Sequence, residues 1–393
     1  MGAARRVLIV ADDLTGAMDT AGPFAQQGLA TVVVVQPLAC DPASVSAAEV
    51  VALNTESRHL SADAAAAKVA ACVSHFAAQP FDIAFKKIDS TLRGNVVSET
   101  LALMRAGRRR GALVAPAFPA QGRTMVDAVV HVNGTPLHET AFAKDALSPP
   151  PLRPLTEEFR DAGPAIPVQA WRRGDSPAQG GMVVVADAQN EADVAASLES
   201  VAQRLDDTVL VGSAGLGKAL AQSLRPSRTR AQSMPLAHGP IVFVVGSRAG
   251  QSRAQVERLR RQAGTLIVNA PNGNAGVLPA MRDAAQIVIL AVPDPVTGEG
   301  DATQVALGLT RAALATLRAS GSRVLVATGG DTAVAVLHAS AGAALEVMGD
   351  LMPGIPYARL TLDGEPLWLV TKAGGFGDAE TFVELARRLR EAG

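Results

Sequence analysis

Two adjacent carboxylates, Asp12 and Asp13, close the first apolar run of the chain in Ala11-Asp12-Asp13-Leu14-Thr15-Gly16-Ala17. Carboxylates at a strand end can accept hydrogen bonds from sugar hydroxyls, ligate Mg²⁺ through oxygen, or take a hydroxyl proton. The plainer alternative is a cap on the helix that follows. A second group lies in Phe85-Lys86-Lys87-Ile88-Asp89-Ser90-Thr91-Leu92-Arg93-Gly94-Asn95. There, cations for a ligand's carboxylate stand beside a carboxylate for its hydroxyls, which suits an anionic, hydroxylated small molecule. A third stretch, Asn54 to His59, offers Arg58, whose guanidinium can grip a carboxylate bidentately. His59 reads as a surface histidine.

Glycine-rich turns form the other class of signal. Val245-Gly246-Ser247-Arg248, Thr328-Gly329-Gly330-Asp331-Thr332-Ala333 and Lys372-Ala373-Gly374-Gly375-Phe376-Gly377-Asp378 are each followed by a helical pattern. Such turns let backbone N–H groups and helix dipoles approach phosphates, so three of them point to a nucleotide. None fits G-x-G-x-x-G with its distal acid, which speaks against a dinucleotide. Gly212 to Ala219 fits G-x-x-x-x-G-K, but Ala219 stands where a phosphate loop needs a hydroxyl to hold Mg²⁺. A packed strand–turn–helix junction accounts for those glycines equally well. No histidine spacing suits zinc, and no G-x-S-x-G elbow supports a serine hydrolase.

Elements that could position these residues alternate regularly. Apolar runs near Val7–Val10, Thr31–Val35, Val50–Leu53, Ile83–Lys87, Leu113–Ala115, Val183–Val185 and Val209–Val211 are strand-sized. Helical patterns fall between them at Thr15–Gln27, Ala62–Ala78, Val96–Arg108, Glu191–Leu205 and Leu216–Leu224. That alternation predicts a parallel sheet covered on both faces, and Val129–Val132, Asn133-Gly134 and Pro136–His138 read as a hairpin set into the sheet domain. The pattern lapses into Arg, Ser, Pro and Gly around Arg225–Pro240, the composition of a linker. It resumes with strands at Ile241–Val245, Thr265–Asn269, Ile287–Val292 and Val324–Ala327 and helices at Ser252–Gln262, Thr303–Ala319 and Thr332–Ala341. An antiparallel pair, Ala358–Leu362 with Leu367–Thr371, and a helix at Ala379–Arg390 complete it. The expected fold is α/β with two domains, 1–230 and 231–393, each a mostly parallel sheet flanked by helices.

Composition excludes several functions. The 393 residues carry 36 Lys and Arg against 37 Asp and Glu, and only 3% are aromatic. Near-zero net charge without a basic block, and few stacking side chains, argue against a nucleic-acid partner. No apolar run approaches the roughly 18–20 residues of a membrane span, and Met1–Val10 lacks the features of a signal peptide. Two cysteines, Cys40 and Cys72, are too few for a disulfide scaffold, so a reduced cytoplasmic protein is expected.

Taken in order along the chain, these motifs, together with Pro116 to Thr124, resemble those of the four-carbon acid sugar kinases: D-threonate, D-erythronate and 3-oxo-tetronate kinases. The resemblance implies an N-terminal acid-sugar-binding domain and a C-terminal nucleotide-binding domain with a ligand cleft between them. It implies ATP and Mg²⁺ as cofactors and a small-molecule partner, with a homo-oligomer possible, and its overall pattern looks closest to the D-threonate branch. It carries Asp12, Arg58, Lys86, Lys87, Ile88, Asp89 and Ser90 over as contacts to the acid. Ser247, Gly329, Gly330, Asp331, Thr332, Ala333 and Gly374 become contacts to ATP. The reaction expected is phosphorylation of the terminal C4 hydroxyl, with Asp12 or Asp13 orienting or deprotonating it. Two other classes stand beside it: an NAD-dependent hydroxy-acid dehydrogenase and a sugar-acid sensor without turnover.

Overall fold

Short β-branched runs, most of them buried along their whole length, make the main sheet of each unit of this protein, seen in a computed structural model that describes residues 5–144, 149–162, 166–224, 239–275, 286–293, 302–339 and 344–391. The chain divides into two compact units, Met1–Arg230 and Ala231–Gly393. Most of the predicted linker, 225–238, lies outside the described residues.

In the first unit the strands are β1 (Val7–Ala11), β2 (Thr31–Val34), β3 (Val50–Asn54), β4 (Ile83–Lys87) and β5 (Gly111–Ala115). A small antiparallel sheet of β6 (Arg123–Val126), β7 (Val129–Val132) and β8 (Thr135–Pro136) interrupts the series. β9 (Val168–Trp171), β10 (Val183–Ala186) and β11 (Thr208–Gly212) follow. The main sheet runs β2-β3-β1-β4-β11-β5-β10-β9, with every pairing parallel. Its helices are α1 (Leu14–Gln26), α2 (Ala62–His75), α3 (Val96–Ala106), α4 (Leu155–Asp161), α5 (Glu191–Glu199) and α6 (Ala214–Ser223). α1, α6 and α5 pack side by side, as do α2 and α3. Right-handed crossovers explain the division: β1 connects toward β2 and β10 toward β11, whereas β3 and β4 connect the opposite way. β1 and β4 therefore form a switch point, and a ligand crevice is expected beyond their carboxyl ends.

The second unit contains β12 (Ile241–Val245), α7 (Gly250–Leu259), β13 (Thr265–Asn269), β14 (Ile287–Ala291), α8 (Ala302–Ser320), β15 (Val324–Thr328) and α9 (Gly330–Ala339). It ends with β16 (Ala344–Met352), β17 (Ile355–Leu362), β18 (Glu365–Lys372) and α10 (Thr381–Glu391). The order β13-β14-β12-β15-β18 is parallel, and β17 and β16 extend it antiparallel. One face is sealed by α7 and α10 over Phe243, Ile289, Val326, Tyr357, Val370, Phe382 and Leu385. The β17–β18 hairpin turns at Asp363-Gly364, both at positive φ, as a two-residue turn requires.

Four elements go beyond the expected ones: β6, β9, α4 and β16. The hairpin expected at Asn133-Gly134 is present in the first unit, its strands β7 and β8 belonging to the small antiparallel sheet. The helices predicted to reach Ala78 and Leu205 stop at His75 and Glu199. Among the described residues, no helix is long and apolar enough to cross a membrane.

Candidate functional site

The carboxyl ends of β3, β1 and β4 lie side by side, with Ala11 opposite Asn54 on one flank and Lys87 on the other. The three charged stretches singled out above are thus delivered to one edge. Asp13 caps α1, accepting a hydrogen bond from the Gly16 N–H at 2.9 Å. Asp12 makes no such cap. Instead Arg58 donates to both of its oxygens, Nε to Oδ2 at 2.8 Å and Nη2 to Oδ1 at 3.0 Å. The same guanidinium reaches Asp13, with Nη1 2.9 Å from Oδ2 and Nη2 2.8 Å from Oδ1. The loop after β3 is fastened over the loop after β1, because Thr55, Ser57 and Arg58 donate backbone N–H groups to Ala11 and Asp12 carbonyls.

Glycine is required around this pair. A Cβ at Gly16 would lie 2.5 Å from Asp13 Oδ1 and 3.0 Å from Lys87 Nζ. Gly94, at φ +89°, would press a Cβ to 3.0 Å from Asp12 Oδ2. Both leave the carboxylates room only because they lack a side chain.

Lys86 and Lys87 leave opposite faces of β4, as strand alternation demands. Lys87 turns toward the start of α1 and donates to the Ile88 carbonyl at 3.0 Å. Lys86 is enclosed: its Nζ lies 2.7 Å from Glu99 of α3, and each side chain is 1% exposed. Lys86 thus acts on the edge through its field, not through contact. Asp89 receives Nε and Nη2 of Arg93 at 2.9 Å each, as well as the Thr91 N–H and hydroxyl. Ile88 is buried, its N–H donated to the Gly212 carbonyl at 3.0 Å, and Ser90 is half-buried beside it.

These partners set the charge states. Burial alone would raise the pKa of Asp12, but Arg58, Lys86 and Lys87 outweigh it and hold the carboxyl below its ordinary value. Burial opposes ionisation of Arg58, and Asp12, Asp13 and Asp89 more than reverse that, raising it well above normal. Burial would likewise raise Asp89, yet Arg93, Arg58 and Thr91 drive it far below the carboxylate range. Asp19, further along α1, goes the other way. Burial pushes it up to about 6, with Lys87 opposing the shift and Asp13 adding to it. Asp13 is 23% exposed and Arg58 12%, so both can meet a ligand, whereas Asp12 at 4% is almost enclosed.

The second unit repeats the arrangement with different chemistry. β12, β15 and β18 are adjacent, with Val245 opposite Thr328 and Thr328 opposite Lys372, so their three glycine turns meet. Side chains are excluded at the meeting points. A Cβ at Gly246 would fall 2.0 Å from Thr332 Oγ1, and one at Gly374 would fall 2.0 Å from Ser247 Oγ. Gly329, at φ +103°, would bring its Cβ to 3.2 Å from the Ser247 N. Gly330 opens α9, with Asp331 in its first turn. Thr332 is buried, and the Ala333 N–H is donated to the Gly329 carbonyl at 3.0 Å. Lys372, buried at the end of β18, has its pKa lowered to about 7 by burial.

The Gly212–Ala219 stretch is structural. Added Cβ atoms would meet the Ala115 carbonyl at 2.7 Å from Gly212, the Ala117 carbonyl at 2.4 Å from Gly215, and Thr20 at 2.7 Å from Gly217. Lys218 is exposed. The glycines let α6 lie close to α1 and β5.

Residues 7–220 match the family described as a sugar-binding N-terminal domain, and residues 242–382 the one described as a nucleotide-binding C-terminal domain. A D-threonate kinase of Bordetella bronchiseptica is 36% identical, over 98% of this chain and 97% of its own. The chain belongs to the four-carbon acid sugar kinase family. A further family member, a 3-oxo-tetronate kinase of Cupriavidus necator, is 30% identical over 97% of this chain and 96% of its own. The crystal structure of a Salmonella typhimurium LT2 protein shares the fold at a TM-score of 0.81 and 21% identity, covering 97% of this chain and 99% of that one.

Glu99 is absent from the stretches singled out in the sequence, and Arg93 stands in the second of them without a role. Glu99 looks like any polar helix position, and nothing in its spacing announces Lys86. Arg93 follows Asp89 by four residues, a spacing from which their pairing could have been anticipated.

Proposed function

We propose that this chain is an ATP-dependent kinase that phosphorylates the C4 hydroxyl of a four-carbon sugar acid, D-threonate giving 4-phospho-D-threonate. The observation that carries the reading is the end-to-end similarity to a D-threonate kinase, 36% against 30% for the 3-oxo-tetronate kinase. The charge pattern of the first unit and the glycine turns of the second support it.

Phosphoryl transfer has a loose transition state, so the protein's part is to position reactants and neutralise charge. In this reading Arg58 and Lys87 bring positive charge to the acid's carboxylate, and Lys86 adds its field from beneath. Asp12 and Asp13 accept hydrogen bonds from the hydroxyls. Asp13, the more accessible of the two, orients the attacking hydroxyl and takes its proton. Asp89, 13% exposed against 23% for Asp13, is less suited to that task. Ile88 and Ser90 line the acid's edge. Ser247, Gly329 and Gly374, with the start of α9 from Gly330 to Ala333, receive ATP. Among the described residues, no group of three or more His, Cys, Asp or Glu side chains converges as a metal site. Mg²⁺ would then arrive with ATP, held chiefly by phosphate oxygens and water, as suits that ion.

The test is ADP release from ATP and Mg²⁺ with D-threonate, D-erythronate and 3-oxo-tetronate in turn, the product located by phosphorus NMR. Turnover highest with D-threonate and a phosphate ester on C4 is the expected result. No ADP above background with any tetronate would refute the reading.

A further inference from the structure

The second unit buries one amine to which the reading above gives no task. Lys372 is 1% exposed, and its Nζ donates to the carbonyls of Ala373 at 2.8 Å, Gly374 at 3.4 Å and Phe376 at 2.9 Å. Its ammonium lies 5.5 Å from the Phe382 ring centroid, and no carboxylate pairs with it among the described residues. All three of its protons are therefore spent on one loop. α7 holds the same loop from the side. Ser252 donates to the Gly374 carbonyl at 2.7 Å, and Gln255 to those of Phe376 at 2.9 Å and Asp378 at 2.8 Å. Gln251 donates to the Gly377 carbonyl at 2.5 Å.

A trans peptide points its C=O and the following N–H in opposite directions. Carbonyls turned inward at Ala373, Gly374 and Phe376 thus turn the N–H groups of Gly374, Gly375 and Gly377 outward. None of these three N–H groups has an acceptor among the described residues. Successive outward N–H groups form a concavity suited to an anion. It lies against Ser247, whose Oγ a Cβ on Gly374 would overlap.

We propose that Lys372 is a positioning residue for the nucleotide phosphates, drawing the carbonyls of its loop inward so that the N–H groups of Gly374, Gly375 and Gly377 face the phosphates. The inference rests on the reading of this unit as the ATP-binding one. A lysine serves where an apolar side chain could not, because a chain of that length supplies a donor to each of three convergent carbonyls. Without it, each carbonyl keeps only one other donor, the Phe376 N–H on Ala373, Ser252 on Gly374 and Gln255 on Phe376, and the common donor that gathers all three inward is lost; a carbonyl that turns outward repels phosphate.

Lys372→Met keeps most of the volume and removes the donors; Lys372→Arg keeps donors and charge. Calorimetric titration with ADP and initial rates with ATP and the four-carbon acid are measured on both full-length variants and the unaltered chain. Lys372→Met is expected to weaken ADP binding and raise the KM for ATP at least tenfold. The KM for the acid stays within twofold, and Lys372→Arg recovers part of the loss. Unchanged ADP affinity in a folded Lys372→Met variant would overturn the proposal, as would equal rises in both KM values. A second variant covers the case in which Lys372→Met does not fold. Gly375 has open space around its Cβ position, so Gly375→Glu sets a carboxylate at the mouth of the concavity without touching Lys372. Normal ADP affinity in that variant would likewise overturn the proposal. If the unaltered chain binds no ADP, the nucleotide reading itself fails; if it binds ADP and both variants bind equally well, that reading stands, and the phosphate-facing concavity and the role of Lys372 in shaping it fail.

Discussion

The two units meet the same topological problem with opposite materials. Each brings three adjacent parallel strands to one edge, β3-β1-β4 in the first and β12-β15-β18 in the second. The first fills that edge with charged side chains and answers nearly every buried charge with an opposite one: Arg58 with Asp12 and Asp13, Lys86 with Glu99, Arg93 with Asp89. The second fills it with glycine and backbone N–H groups, and its buried Lys372 meets carbonyls and the Phe382 ring, with no carboxylate partner among the described residues. A small acid with several hydroxyls needs a few directed side chains of both signs. A triphosphate needs close approach and many donors, which a bare backbone provides best.

That contrast can be broken most sharply at Asp12. Asp12→Asn retains the shape but removes the charge that Arg58 and both lysines hold in place. We expect kcat to fall by about 10²-fold, the cost of slightly misplacing the Arg58 and Asp13 side chains that Asp12 holds in place, while ADP binding is untouched. Turnover within threefold of normal would remove Asp12 from the mechanism.

The next effect is on stability. Lys86→Met strands the buried Glu99 carboxylate, and breaking such a pair costs about 3–5 kcal/mol. The double variant Lys86→Met/Glu99→Leu should recover most of it, because no buried charge remains. Thermal melting of both variants checks this. A single variant as stable as the unaltered chain would show that the pair is not enclosed as described.

The smallest effect is a pH dependence at Asp19. Its carboxyl, raised to about 6, binds its proton more tightly folded than unfolded. Its contribution therefore favours the folded state below the unfolded pKa of about 4 and is lost as pH rises through about 6. Asp19→Asn, neutral throughout, should melt a few degrees higher than the unaltered chain at pH 8 and no higher at pH 4. A gain of equal size at both pH values would assign the effect to packing instead.

Much of this organisation is legible in the residues themselves. Runs such as Val7–Ala11 and Ile241–Val245 are buried at every position, so they announce parallel strands without ambiguity. The glycine turns and charged strand ends follow from those strands. What escapes is weak or non-local. β9 carries Gln169 in a four-residue edge strand, and β16 is broken by register shifts around Gly349 and Asp350. The site's partners escape for the second reason: Lys86 and Glu99 meet only because strand alternation and the α3 register bring opposite charges together. Spacing suggested Arg58 as a carboxylate clamp. It does clamp carboxylates, but in this structure they are the protein's own Asp12 and Asp13.

The division of labour can be read from four Michaelis constants, those for ATP and for the four-carbon acid in Arg58→Ala and in Gly329→Ala. Arg58→Ala should raise the constant for the acid at least tenfold and leave that for ATP within twofold. Gly329→Ala, which strains a φ of +103° and crowds Ser247 at 3.2 Å, should do the reverse. Both variants raising both constants alike would contradict the assignment of one ligand to each unit.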